Sequence, residues 1–253
     1  MRFILTALLM FAFASQAAAE YKRISSPTWW QTANVFDVIE ELASGVDVME
    51  PNSENWYAIH AASLYGDFSA FEMIVEATTD FSMHTDMWGT TPLMFAALSE
   101  RDALQKVKFL LDVGADVTAR DHHGNSALHH SMNNSTRTGA EIAEVLLTVG
   151  ADVTARTKTG DTPLPRARTS DQAQVLLSNG ANVMPLNKYD YTPLHSVSDS
   201  VATEQGVIEA LLAAGANPHA KDKSGNDPWY YVELRGHLKG TKSYWALNDA
   251  RFN

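Results

Sequence analysis

The sequence has no cysteine in its 253 residues. Disulfide cross-links are therefore excluded, and so is anchoring through a lipidated N-terminal cysteine. Basic residues are few, 19 Lys and Arg against 30 Asp and Glu, for a formal net charge of −11. Such a balance argues against nucleic acid, whose phosphates need a cationic surface, and fits a soluble protein or one with a basic partner. After the N-terminus there is no apolar run of about 18 residues, so no membrane-spanning helix is expected. G-x-S-x-G, H-E-x-x-H and a glycine-rich phosphate loop are all missing, and with them the hydrolase, metalloprotease and nucleotide chemistries they serve.

What the sequence does have begins with an export signature. Arg2 is followed by an almost wholly apolar stretch from Phe3 to Phe13, and Ala17-Ala18-Ala19 precedes Glu20. A short basic region, an apolar core and small residues at −3 and −1 read as a cleavable secretory signal over residues 1–19. A cysteine-free exported chain is ordinary in a bacterial periplasm, which is the expected location. Cleavage would remove Arg2 and no acid, leaving 18 basic against 30 acidic residues.

The rest is organised around Phe109 to Arg120, where an apolar helical run stops at Gly114 and an extended polar segment follows. Copies return at Val145–Val153, Val175–Val183 and Ala210–Pro218, with stop glycines at 114, 150, 180 and 215. Helix starts fall near 57, 91, 126, 162, 192 and 227. A signal recurring at roughly 33 residues marks a repeat array. In the clearest unit Thr91 is an N-cap and Pro92 sits at N1, where its missing N–H costs nothing. Ala96 and Ala97 allow close helix packing, the second helix runs from about Leu104 to Asp112, and Gly114 is a left-handed stop. Leu110 and Leu111 are expected in the core shared between repeats.

Thr192-Pro193-Leu194-His195, followed by Leu211-Leu212-Ala213-Ala214-Gly215-Ala216-Asn217, resembles the ankyrin repeat family, and six correlated units carry the likeness. The resemblance implies an all-α solenoid of stacked helix–turn–helix units with projecting hairpin loops. The expected organisation is a signal over 1–19, an N-terminal capping half-repeat over 20–51, repeats over 52–236 and a C-terminal cap or tail over 237–253. Two departures stand out. The fifth unit is short, with Pro165 where histidine belongs and Arg166 and Arg168 in place of the small pair, so its first helix is expected to be irregular. Asp190 replaces the turn glycine of the sixth unit, and aspartate tolerates the left-handed region better than most residues.

His122, His123, His129 and His130 lie within nine residues and suggest zinc or copper. The resemblance makes His60, His129 and His195 structural instead, so no metal or other cofactor is expected. Repeats and caps occupy residues 20–253, which leaves no stretch for a separate catalytic domain, and no catalytic residue is assigned. In the ankyrin family, partners are bound by loop tips and the exposed side of the first helices. The tip residues singled out as protein-binding are Met87, Trp88, His122, His123, Lys158, Lys188, Tyr189, Tyr191 and Lys223, of which Trp88, Tyr189 and Tyr191 are the candidate anchors. The expected function is a monomeric, non-enzymatic protein-binding scaffold of the periplasm. Its alternatives are an immunity protein blocking a basic toxin, an envelope oxidative-stress factor, a histidine-based metal binder, and an effector exported by a second step.

Overall fold

Several apolar runs of the repeat grammar become short helices whose starts are capped by a side chain. Thr91, Thr192 and Asp227 accept from the backbone N–H of Met94, His195 and Tyr230, and Pro92, Pro193 and Pro228 follow them in the first turn. The computed structural model describes residues 24–80, 84–134, 137–204 and 206–252, with Arg137 described by its backbone alone. The expected export segment, residues 1–19, lies outside the described residues, as do residues 20–23. Among the described residues the regular elements are helices, with no strand. They belong to two units, Met1–Ala115 and Asp116–Asn253.

In the first unit the helices are α1 Pro27–Trp30, α2 Val35–Ala43, α3 Ala58–Tyr65, α4 Phe68–Ala77, α5 Pro92–Leu98 and α6 Ala103–Asp112. Helices α3 and α4 pair, as do α5 and α6; α1 packs on α3 and α3 on α5, while α2 packs on α4 and α4 on α6. Two rows result, one of first helices and one of second helices. Ala61, Ala62, Ala96 and Ala97 are fully buried along the first row and let those helices approach closely. Along the second row Phe71 meets Phe109 edge-on, with ring centroids 5.9 Å apart. At the N-terminal end Trp30 is buried, and its indole N–H donates to the Ile24 carbonyl at 2.7 Å. Gly66 is extended, so its role is space: a Cβ there would stand 2.9 Å from the Trp30 ring.

Lys106 is fully buried in this unit, an unusual position for an ammonium group. Its Nζ donates to the Ser63 carbonyl at 3.1 Å and to Ser99 Oγ at 3.2 Å. Burial pulls its pKa down to about 7, against a smaller opposing pull from Asp102.

The second unit contains α7 Ala127–Ser131, α8 Arg137–Thr148, a 3₁₀ turn at Leu164–Arg166, α9 Ser170–Ser178, α10 Pro193–Asp199, α11 Val207–Ala213, α12 Pro228–Arg235 and α13 Lys242–Ala250. The same two rows form. The 3₁₀ turn packs on α10 and α10 on α12, while α8 packs on α9, α9 on α11 and α11 on α13. The fifth repeat's first helix is thus reduced to one 3₁₀ turn, as Pro165 led us to expect. Arg168, in the slot of a small residue, reaches back to the Asn133 carbonyl at 3.1 Å and helps join this turn to its neighbour.

The stretch from Phe109 onward reads as expected at Gly114, whose φ of 94° is left-handed. One expectation needs correcting. Leu110 is fully buried but Leu111 is only half-buried, and the same split holds for Leu146 and Leu147, Leu176 and Leu177, and Leu211 and Leu212. Adjacent helical residues point about 100° apart, so only the first leucine of each pair can face the shared core.

Candidate protein-binding surface

Six hairpin tips project from the helices, and one rule builds them all. The residue five places before Tyr57, Thr91, Ser126, Thr162, Thr192 and Asp227 closes the loop, and these residues are Asn52, Asp86, Asp121, Thr157, Asn187 and Asp222. In every case its backbone N–H donates to the carbonyl four residues on, at 2.8 to 3.2 Å. The side-chain oxygen then collects the loop's own N–H groups. Asp86 Oδ1 accepts from Trp88 and Thr90, Asp121 Oδ1 from His123 and Asn125, Asn187 Oδ1 from Tyr189 and Tyr191, and Asp222 Oδ1 from Ser224 and Asn226. Left-handed residues stand at each apex: Gly89, Gly124, Gly160 and Gly225, with Asn55 and Asp190 replacing glycine elsewhere. Asp190 keeps this turn at φ 60°, as its tolerance for that region suggested.

Histidine ties the tips to the helices. The Nδ1 atoms of His60, His129 and His195 accept from the backbone N–H of Tyr57, Ser126 and Thr192, each at 3.2 Å. A backbone N–H can only donate, so the ring proton must be on Nε2. That nitrogen faces the carbonyl of His84, Asp161 and Asn226 respectively, in the next repeat, at 3.2, 3.3 and 3.2 Å. The neutral ring is therefore a bridge from one repeat's helix start to the next repeat's tip. Burial pulls the pKa of His60 and of His129 down to about 4, and that of His195 down as well. Pro165 removes this bridge from the fifth repeat. Thr162, in the sequence slot of the N-cap threonine, has a buried hydroxyl with no partner among the described residues, whereas Thr192 Oγ1 meets its histidine at 2.8 Å.

The four clustered histidines separate. His122 and His123 are exposed, His129 is buried in its bridge, and His130 donates from Nε2 to Asp121 Oδ2 at 3.1 Å. Burial alone would raise the Asp121 carboxyl. The bonds from His130, the Asn125 side chain, and the backbones of Asn125 and His123 outweigh it and hold the group well below the usual carboxylate range. Among the described residues no group of three or more His, Asp or Glu side chains is placed to hold a metal.

The expected contact residues fall into distinct settings. In the first unit Met87 and Trp88 are each 52% exposed at one tip. The neighbouring tip of that unit is bonded to this hairpin through Asn55 Nδ2, which donates to the Thr85 carbonyl at 2.7 Å. In the second unit the tips are joined by backbone bonds. Lys158 N–H donates to His123 O at 2.8 Å, Lys188 N–H to Thr159 O at 2.8 Å, and Lys223 N–H to Tyr189 O at 3.2 Å. Lys158, Lys188, Tyr189 and Lys223 are exposed along this ladder, and the Lys188 ammonium lies 5.0 Å over the Tyr189 ring. Tyr191 is different. It is half-buried, stacks on His195, and its hydroxyl donates to that of Tyr231 at 2.6 Å, which in turn donates to Asp222 Oδ2. Its ring and hydroxyl are thus committed to the scaffold.

Sequence reading missed the loop-closing residues at 52, 86, 121, 157, 187 and 222. Their signal was available in the constant five-residue offset from the repeat starts at 57, 91, 126, 162, 192 and 227. It also missed Met184 and Leu186, which are 41% and 48% exposed just before the Asn187 tip. Among the described residues no helix is long and apolar enough to cross a membrane.

Comparison with known proteins agrees with this architecture. A model of three ankyrin repeat copies matches residues 31–121 and 77–157, and a single ankyrin repeat model matches residues 189–223. The ankyrin repeat protein YahD of Escherichia coli K12 is 26% identical over 179 residues, covering 69% of this chain and 88% of YahD. Mouse inversin is 34% identical over 83 residues, 33% of this chain but only 8% of inversin. Human ankyrin repeat and SOCS box protein 6 is 37% identical over 78 residues, 31% of this chain and 18% of that protein. With matched repeat models over half its length and helix pairs joined by histidine-bridged hairpins, this chain belongs to the ankyrin repeat family.

Proposed function

We propose that the chain is a non-enzymatic, cofactor-free scaffold of the bacterial periplasm that binds a protein partner through its hairpin tips. One observation carries the reading. The polar side chains of the repeat frame are consumed by the fold, while Trp88, Lys158, Lys188, Tyr189 and Lys223 stand exposed on tips the frame holds in place. Large aromatic side chains on a preorganised surface are frequent anchors of protein contact, and exposed charges beside them steer and orient a partner. Export rests on the Arg2, Phe3–Phe13 and Ala17–Ala19 pattern. It is tested by fractionation and N-terminal sequencing, which should find a mature chain starting at Glu20. For binding, a tagged Trp88→Ala/Tyr189→Ala variant is compared with wild type in capture from periplasmic extract. Tyr191 is left intact because its loss would damage the scaffold. Loss of the captured partner supports the reading, and an unchanged partner list would place the binding face elsewhere.

A further inference from the structure

Whole-chain acidity conceals a local reversal of charge. On the tips of the second unit Arg120, Arg156, Lys158, Lys188, Lys221 and Lys223 are all exposed. The acids of the same tips face inward. Asp121 and Asp222 are only 7% and 6% exposed and accept the N–H groups of their own loops. Asp161 accepts from Thr159 Oγ1 at 2.6 Å and Asn187 Nδ2 at 2.7 Å, and Asp190 is half-buried at its apex. Loop closure therefore draws the carboxylates into the hairpins and leaves the cations outside.

Some of those cations are already matched. Lys221 pairs with Asp227 at 3.0 Å, and Arg120 approaches Asp152 at 4.0 Å. Among the described residues Lys158, Lys188 and Lys223 are paired with no carboxylate. The ladder that joins their backbones sets them in a row, and Lys223 Nζ donates to the Lys188 carbonyl, which holds it there. Tyr189, under the Lys188 ammonium, is exposed, as are Leu186 and Met184 shortly before it in the sequence.

Resting on the scaffold reading above, we propose that this ridge docks an extended acidic polypeptide, with Asp or Glu side chains on Lys158, Lys188 and Lys223 and an apolar residue against Tyr189. A polypeptide suits the ridge better than a nucleic acid. Phosphate polymers need a broad cationic field, whereas this row is short and set on a chain of net charge −11. Screening over about 8 Å at physiological salt lets a peptide on the tips escape much of that distant negative charge.

The test uses the full chain and a fluorescein-labelled Glu-rich peptide with one central Leu, read by anisotropy. Lys158→Glu/Lys188→Glu/Lys223→Glu is compared with Lys108→Glu/Lys239→Glu/Lys242→Glu, which changes net charge equally but off the ridge. Both must keep the wild-type urea midpoint; single reversals replace a triple that does not. The expected result is a loss of about tenfold or more for the ridge variant, a much smaller loss off the ridge, and weakening by salt. Equal losses in the two variants overturn the proposal, as does the absence of binding by wild type at low salt. A single-stranded oligonucleotide that binds as tightly as the peptide also overturns it. The capture experiment separates the two readings: if capture needs Trp88 and Tyr189 but survives ridge reversal, the scaffold reading stands and this one falls.

Discussion

Lowering the pH from 7 to 5 should weaken the fold through the buried imidazoles His60 and His129. Both are held at about 4 in the folded chain, against an ordinary value of 6.5, because burial disfavours the charged ring. Protonation would also place a second N–H on Nδ1, facing the backbone N–H of Tyr57 or Ser126 that it now accepts. The unfolded chain takes up the proton first, so the stability from each neutral ring is intact above about pH 6.5 and is lost as pH falls toward 4. Between pH 7 and 5 that loss amounts to about 2 kcal/mol per imidazole. The Asp121 carboxyl, held low, adds its own loss mainly at more acid pH, so the two contributions separate. Hydrogen exchange can follow residues 58–77 for His60 and residues 127–148 for His129, at constant ionic strength. His129→Gln keeps an acceptor and a donor but cannot titrate. It should flatten the pH dependence around α7 and leave that around α3 unchanged. If His129→Gln retained the full wild-type slope around α7, the assignment of the pH dependence to this bridge would be wrong.

Three further outcomes are expected. Lys106, held at about 7 against an ordinary 10.5, should make the first unit more stable by about 2 kcal/mol between pH 7 and 9. Lys106→Met should abolish that rise in exchange protection around α6. Leu110→Ala should cost about 2–5 kcal/mol in urea unfolding because Leu110 is fully buried, and Leu111→Ala, at a half-buried site, clearly less. Asp121→Ala strands the His123 and Asn125 N–H groups and unpairs His130, and should lower stability by about 2–4 kcal/mol with the first exchange changes at residues 121–130.

Helix starts and stops were legible because they depend on local chemistry: Thr91 and Pro92 begin a helix, and Gly114 ends one, whatever surrounds them. The failure of a regular helix at Pro165 was legible for the same reason. Burial was less so. Leu110 and Leu111 are equally apolar, and only the rotation of the helix against its neighbour decides which one is core. Long-range bonds were harder still. Nothing local indicates that His129 reaches the Asp161 carbonyl, 32 residues on, or that the Tyr191 hydroxyl donates to Tyr231, which donates to Asp222. The local charge of the hairpin tips was not legible either. Net charge counts Asp121 and Asp222 like any other acid, whereas the structure turns them inward and leaves lysines outside.

Amine-reactive cross-linking of the partner-bound protein, followed by mass spectrometry, tests the central claim most directly. Lys158, Lys188 and Lys223 lie on the tips, while Lys108 on α6, Lys239 between α12 and α13 and Lys242 at the start of α13 belong to no tip and supply the comparison. Binding through the tips predicts cross-links to the partner concentrated on Lys158, Lys188 and Lys223. Cross-links concentrated on Lys108, Lys239 and Lys242, or spread evenly over both sets, would contradict it.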